Sequence, residues 1–374
     1  MASIAAKNTG RVNRVLLAAL AVFPYSGMAA HAQTAPPAGT PSAAPRNGSP
    51  EITGPVPHAL PEASNADIAV ARHLLQLGKY DEAIAQLLEL QTKNPAVPGM
   101  ARELGTAYYK KGDFLSAASN LTKAQEENPD DQEATQLLGL SYYLAGRPVQ
   151  AIPLLEKVQS WYASANVDAA YILGICYIQS KEYAHARAAF AKMFGVDPDS
   201  AASYLLTSRM LLRQDFGPVA EEYATKASAL DAKLPLAHQL LGELYLYQSK
   251  IPEAITQLQA ELAINPGNAA AYYKLADAQS RVQKYDEAEK LLQRSIWLDP
   301  TSTGPYILLG KVLEKKGEAE LSARALQRAL SMDPNNPIPH HLLGQTYRDL
   351  GRAEDAEREL KLAEQLQARQ NEKP

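Results

Sequence analysis

The residues that most often carry chemistry in proteins are few and scattered in this chain. The seven histidines include one adjacent pair, His340 and His341, whose imidazoles would point about 100° apart on a helix and could not share a metal ion. Cys176 is the single cysteine, so a disulfide within the chain and a multi-thiolate metal site are both excluded. Phosphate-loop, dinucleotide-binding, serine-hydrolase and zinc-protease motifs are missing. The pattern predicts no catalytic residue, no metal and no cofactor.

Composition narrows the class of protein further. The chain has 374 residues, 46% of them hydrophobic and 21% charged, which is typical of a folded soluble protein. Its 37 basic and 41 acidic residues give a formal net charge of −4. That balance provides no electrostatic basis for binding nucleic acid.

The first residues have the pattern of an export signal. A basic stretch with Lys7, Arg11 and Arg14 precedes an unbroken apolar run of nine residues, 15–23, and Ala30-His31-Ala32 follows. This order is typical of a cleaved signal peptide over residues 1–32, and the apolar run is shorter than the roughly 20 residues that span a bilayer. Its type predicts a bacterial protein that is periplasmic or secreted. An uncleaved anchor remains the alternative interpretation.

Residues 33–63 form a segment rich in proline, alanine and glycine. Eight prolines fall in it, and no two have the P-x-x-P spacing of a docking motif. Such a composition cannot bury a core and is typical of an extended linker.

The remainder of the chain repeats with a period of 34 residues. Asn-Pro or Asp-Pro pairs recur with gaps between their prolines of 34, 69, 68, 34 and 34 residues. Nine repeats then start at residues 64, 98, 132, 167, 201, 235, 269, 303 and 337, and the third is one residue longer than the others. A residue's position within its repeat is called its place below.

Small residues mark two places in every repeat. Place eight is glycine in six repeats and alanine or serine in the others, and place twenty is alanine in eight repeats and Ser322 in the remaining one. Leucine at place seven and tyrosine at place eleven recur around them at helical spacing. Small residues allow two helices to cross closely. Each repeat is therefore predicted to be a helix, a turn and a second helix.

Two segments, 103–131 and 341–365, carry nearly the whole signature by which this unit resembles the tetratricopeptide repeat. The resemblance implies an all-α, right-handed superhelical solenoid of about nine helix-turn-helix repeats over residues 64–370, followed by a polar tail at 371–374. It also implies that first helices line a concave groove and that second helices lie outside.

In that family the second, fifth, ninth, twelfth and thirteenth places of the first helix face the groove. Carrying these places over predicts a partner-binding surface of Arg102, Tyr109, Tyr143, Tyr171, Ile175, Arg209, Arg213, Tyr247 and Tyr273. Tyrosines and aliphatic residues are unexpected on a wall that faces solvent, which favours a peptide-binding groove with arginines at its edge. The alternative is that the phase is one place off, or that neighbouring repeats cover these side chains.

The predicted function is a non-enzymatic scaffold for protein–protein interaction, exported to the cell envelope, with a protein or peptide partner and no nucleic acid or metal. A structural part of an envelope export or polysaccharide-secretion assembly is the alternative, and an enzyme is the remote third reading. The carboxylate-clamp form of the family needs lysine and asparagine at places five and nine. Arg102 and Thr106 stand there instead, so that activity is not predicted.

The third repeat is predicted to be irregular. Pro148 suits the first turn of its second helix, whereas Pro153 falls about one and a half turns further in, where proline removes a backbone hydrogen bond. We expect a static bend there, near the extra residue, with a hinge as the alternative.

Export makes a prediction about the mature chain. Protein isolated from its native host should begin at Gln33, because the small residues before it suit a signal peptidase. N-terminal sequencing of that material checks the site. Recovery of intact Met1 from washed membranes would instead establish an anchor.

Overall fold

In the part of the chain that the computed structural model describes, every element is an α-helix. The structure describes residues 62–95, 97–161 and 167–371. The predicted signal peptide lies outside these residues, as do the linker up to residue 61 and the tail from 372. The described part holds eighteen helices: α1 Glu62–Gln76, α2 Tyr80–Lys93, α3 Met100–Lys111, α4 Phe114–Glu127, α5 Gln132–Leu144, α6 Pro148–Ser160, α7 Val167–Gln179, α8 Tyr183–Phe194, α9 Ala201–Arg213, α10 Gly217–Leu230, α11 Ala237–Tyr247, α12 Ile251–Ile264, α13 Ala269–Arg281, α14 Tyr285–Leu298, α15 Thr303–Lys315, α16 Ala319–Met332, α17 Pro337–Asp349 and α18 Ala353–Asn371.

The helices pair as the period predicts, one pair to each of the nine repeats. They belong to two compact units, α1–α8 up to residue 198 and α9–α18 from residue 199. Within each unit every helix packs on the next, and first helices of successive repeats also contact one another, such as α3 with α5 and α13 with α15. The first helices therefore form one wall of each unit, which we call its inner face, and the second helices lie behind it.

Close approach of the two helices in a repeat depends on the residue at place eight. A Cβ built on Gly242 would lie 2.6 Å from Cγ of Leu258, and one on Gly174 would lie 2.5 Å from Cε1 of Phe190. Real side chains do not approach so closely, so place eight must be small wherever place twenty-four is large. Repeat five has a serine at place eight, and the hydroxyl of this Ser208 donates to the carbonyl of Ala220 on the facing helix at 2.6 Å.

The ends of the helices follow from local sequence. Asp113, Asp131 and Asn268 precede first turns, and their side chains accept from the backbone N–H three residues on, the usual geometry of an N-cap. Three of the second helices begin with a proline in the first turn: α6, where Pro148 was predicted to do so, α10 and α12. Proline suits that position because a backbone N–H there would have no intrahelical acceptor, so nothing is lost by its absence.

The turn between the two helices requires a left-handed residue at place fifteen in every repeat. Five repeats place a glycine there, with φ between 70° and 90°, whereas repeats four to seven place Lys181, Asp215, Ser249 and Gln283 with φ of 60° to 64°. A side chain in this conformation costs about 1–2 kcal/mol relative to the right-handed region. Four consecutive repeats therefore carry backbone strain that the others avoid.

The second helix of repeat three runs without a break through Pro153. Proline cannot donate, so the carbonyl one turn earlier has no intrahelical partner at that point. The helix is therefore continuous past Pro153 with one backbone hydrogen bond lost, and the static bend stays a prediction. The site of the extra residue falls at 162–166, outside the described residues.

Adding one methyl group at place eight should destabilise the protein. We expect Gly242→Ala to lower the free energy of unfolding by about 1–2 kcal/mol, since overpacking outweighs the gain in helix propensity. Gly217→Ala is the matched control, because a Cβ there meets nothing within 4 Å. Urea unfolding followed by circular dichroism measures both. Equal midpoints for the two variants would show that the close approach of the helices does not depend on glycine at place eight.

Relieving strain at place fifteen should have the opposite effect. Gln283→Gly should raise the free energy of unfolding by about 1 kcal/mol, and Gly351→Gln should lower it by a similar amount, because only glycine adopts a left-handed φ without steric cost. The same urea titration measures the pair. Shifts of the same sign in both variants would contradict a role for the turn conformation.

Candidate functional site

The groups with potential chemistry are held in structural roles. Cys176 is fully buried, and burial raises the pKa of its thiol to about 12, so it is not poised as a thiolate. His340 is buried, with Nδ1 2.6 Å from Oε2 of Glu359 and Nε2 2.9 Å from the Pro334 carbonyl oxygen. Within the described residues, no three histidine, cysteine or acidic side chains are grouped to hold a metal ion.

The inner face of the first unit brings three of the predicted tyrosines onto successive first helices. Tyr109 lies on α3, Tyr143 on α5 and Tyr171 on α7, and all three are half-buried. Burial raises the pKa of Tyr109 and Tyr143, and the neighbouring Tyr171 and Cys176 raise that of Tyr143 further. Tyr143 and Tyr171, on the first helices of repeats three and four, are therefore close enough to interact electrostatically.

Aromatic neighbours hold two of these rings in place. Tyr109 meets Phe114 edge to face with ring centroids 5.9 Å apart, and Tyr171 lies 6.4 Å from the ring of Phe190. Such pairs favour a fixed ring orientation. The hydroxyls of Tyr109 and Tyr143 have no hydrogen-bond partner in the part of the chain that the structure describes, which leaves them available to solvent or to a bound segment.

Arg102, predicted as a rim residue, already has acidic partners. Its guanidinium forms an ion pair with Glu133 in the following repeat and lies 3.4 Å from Oδ2 of Asp131, the last residue of its own repeat. Arg72 makes the equivalent tie one repeat earlier, with Nη2 2.5 Å from Oε1 of Glu103. These arginines join successive repeats, so a partner's carboxylate would have to compete for Arg102.

The prediction for Ile175 is wrong. Ile175 is only 1% exposed, so it cannot be the centre of an accessible groove. The reason is the composition of α7, in which every residue from Leu173 to Ile178 is buried. A helix that is apolar on all sides is buried on all sides, so Ile175 is not accessible to a partner.

The second unit carries the other four predicted residues. Arg209 is half-buried and Arg213 exposed, both on α9, while Tyr247 on α11 is 63% exposed. Tyr273 on α13 is half-buried against the next repeat, since a Cβ on Gly304 would lie 3.3 Å from its Cζ. Burial raises the pKa of Tyr273, as does Asp277. Each unit thus presents its own set of predicted residues.

Two sets of polar interactions in this unit were not predicted from the sequence. Arg281 donates to the Leu246 carbonyl at 3.2 Å and pairs with Asp277 at 2.9 Å. Glu261 is fully buried and accepts from the backbone N–H of Leu236 at 2.9 Å, which caps the start of α11. The spacing of 35 residues between Arg281 and Leu246, about one repeat, is the signal that could have identified the first of them.

Family models agree with this architecture. Models of the tetratricopeptide repeat match residues 240–304, 304–336 and 325–358, and a model of anaphase-promoting complex, cyclosome, subunit 3 matches residues 110–193. The chain is a tetratricopeptide repeat protein. No curated protein sequence matches this tetratricopeptide repeat chain.

Solved structures of similar fold have low sequence identity to it. The crystal structure of MamA is 22% identical with a TM-score of 0.41, and the match covers 44% of this chain and 96% of that one. YrrB, described as a tetratricopeptide repeat protein with an unusual peptide-binding site, is 20% identical over 50% of this chain and 94% of its own, with a TM-score of 0.42. PilF of Pseudomonas aeruginosa is 19% identical over 55% and 97%, with a TM-score of 0.45.

Proposed function

We propose that this tetratricopeptide repeat protein is a non-enzymatic scaffold, exported to the cell envelope, that binds a peptide segment or a partner protein on the inner face of its first helices. The observation that carries the proposal is the adjacency of Tyr143 and Tyr171, two half-buried tyrosines contributed by different repeats. Packing alone does not require partly exposed rings there, whereas binding surfaces are enriched in tyrosine.

The geometry supports an apolar partner segment. The two rings offer a large rigid surface at a low cost in conformational entropy, and the Tyr143 hydroxyl adds a polar group that can donate to a partner carbonyl. Because Arg102 is paired with Asp131 and Glu133, acidic residues of the partner contribute less here than the sequence alone predicts. The segment can be extended or helical.

The absence of enzymatic activity is part of the proposal. The repeat architecture is typically a non-catalytic interaction scaffold, and the buried Cys176 thiol, with its pKa raised to about 12, lacks the properties of a nucleophile.

Export to the periplasm or beyond rests on the basic and apolar pattern of residues 1–32. Among the helices of residues 62–371, none has the length and apolar character that crossing a bilayer requires. Whether the signal is removed decides between a free and an anchored scaffold.

Removing both rings should weaken binding of the partner. A partner captured from envelope extract of the native host would be titrated by calorimetry against wild type and against Tyr143→Ala/Tyr171→Ala. Each ring is expected to contribute about 2 kcal/mol, the scale of a hot-spot residue, so the double variant should bind at least a hundredfold more weakly.

The matched control is Tyr143→Phe/Tyr171→Phe, which keeps the ring area and loses only the hydroxyls, and which should retain most of the affinity. Circular dichroism verifies the helical content of each variant. Equal affinities for wild type and the alanine variant, with helicity unchanged, would remove the inner face as the binding surface and favour a structural part of an envelope export or polysaccharide-secretion assembly.

A further inference from the structure

The second helices of repeats seven and eight carry a repeated pair of basic residues. Lys290 and Arg294 occupy places twenty-two and twenty-six of repeat seven, and Arg324 and Arg328 occupy the same places in repeat eight. All four are exposed, and a spacing of four puts each pair on one face of its helix. No other repeat has basic residues at both places. We call these four residues the basic outer face.

Beside this face lies a tryptophan, and the repeat architecture does not require an aromatic residue there. Trp297 is 70% exposed and stands at place twenty-nine, three residues after Arg294 on the same side of α14. The other repeats have small or polar residues at this place: Thr92, Glu126, Ser160, Gly195, Ala229, Ala263, Ser331 and Gln365. Repeat packing is therefore complete without an aromatic ring here.

The guanidinium of Arg294 lies over two aromatic rings. It lies 4.3 Å from the ring centroid of Trp297 and 6.0 Å from that of Tyr272. Stacking of this kind uses the faces of the guanidinium and leaves its N–H edges free to donate. Tryptophan and arginine are also the residues most enriched among binding hot spots.

The charge of the basic outer face is not neutralised within the unit. Among the described residues, no carboxylate oxygen lies within 4.0 Å of the four cations. Two of the three acids of α14 pair with another cation: Asp286 and Glu289 lie 3.0 Å and 2.5 Å from Nζ of Lys316 in the next repeat, and they raise the pKa of that lysine. The face therefore presents positive charge outward, although Glu287 and Glu320 lie one turn before it.

We propose that the basic outer face binds an acidic segment of a partner protein, with an apolar side chain of that segment against Trp297. Carboxylates complement the free donor edges of the arginines, and the exposed indole supplies the apolar contact. The site lies on the second helices and does not depend on the inner face, so one chain can hold two partners at once.

An anionic membrane is a poorer match than an acidic peptide. The second helix of repeat nine, α18, follows the face directly and carries acidic residues at positions 354, 355, 357, 359 and 364. A bilayer laid against α14 and α16 would also meet α18, whose five acidic and three basic residues leave it with an excess of negative charge, whereas a short peptide need only follow two helices.

A labelled acidic peptide tests the proposal on the full chain. The probe is a fluorescein-tagged decapeptide of aspartate and glutamate around one phenylalanine, titrated by anisotropy in buffer of low ionic strength. Arg294→Glu/Arg328→Glu should weaken binding at least tenfold, and raising the salt concentration should weaken binding of wild type. Trp297→Ala should weaken it about fivefold, and replacing the peptide's phenylalanine by serine should abolish that dependence on Trp297.

The matched control is Lys123→Glu/Lys226→Glu. It alters place twenty-six of two other repeats and changes the net charge by the same amount, and it should change the affinity less than twofold. Equal losses for the two charge-reversed proteins would overturn the proposal in favour of a bulk charge effect. No binding by wild type, or binding to phosphatidylglycerol vesicles that requires Arg294 and Arg328 while peptide binding does not, would also overturn it. Circular dichroism confirms that each variant remains helical.

Discussion

The contact between place eight and place twenty-four determines how each repeat is built. Because Gly105, Gly174 and Gly310 have no side chain, a leucine or phenylalanine of the second helix can lie directly on the backbone of the first. Close approach then fixes the crossing of the two helices, and the fixed crossing decides which places turn inward and which turn out. The two proposed surfaces both depend on this one steric constraint.

The same constraint explains why exposed polar residues on the inner face have limited freedom. Once the repeats stack, residues one period apart are neighbours, and Arg102 and Arg281 are used to join repeats rather than left for a partner. Specificity on that face consequently falls to the tyrosines. On the second helices, among the described residues, Arg294 has no acidic partner in a neighbouring repeat, and its charge stays outward.

Periodicity was sufficient to predict the fold. Nine repeats, their phase and the helix pairs follow from residues that recur every 34 positions, and the first described helix starts at Glu62 against a predicted start of 64. The surface was predicted less well. Carrying family places over put Tyr143 and Tyr171 on one face, yet Ile175 is buried, because exposure depends on residues in other helices that the pattern of one repeat does not contain. The pairing of Arg102 with Glu133 was visible as a spacing of 31 residues, and Trp297 was visible as a departure from its place in the repeat.

Contacts between neighbouring repeats also determine the order in which the chain can fold. Ties such as the hydrogen bond from Arg281 to Leu246, which spans 35 residues, join a segment only to the repeat just before or after it. When the chain emerges from a ribosome or a membrane channel, each repeat therefore needs no segment distant in sequence to complete its packing. Each repeat finds its packing partner as soon as the next one has emerged, and the apolar seam is exposed for no longer than one period takes to appear.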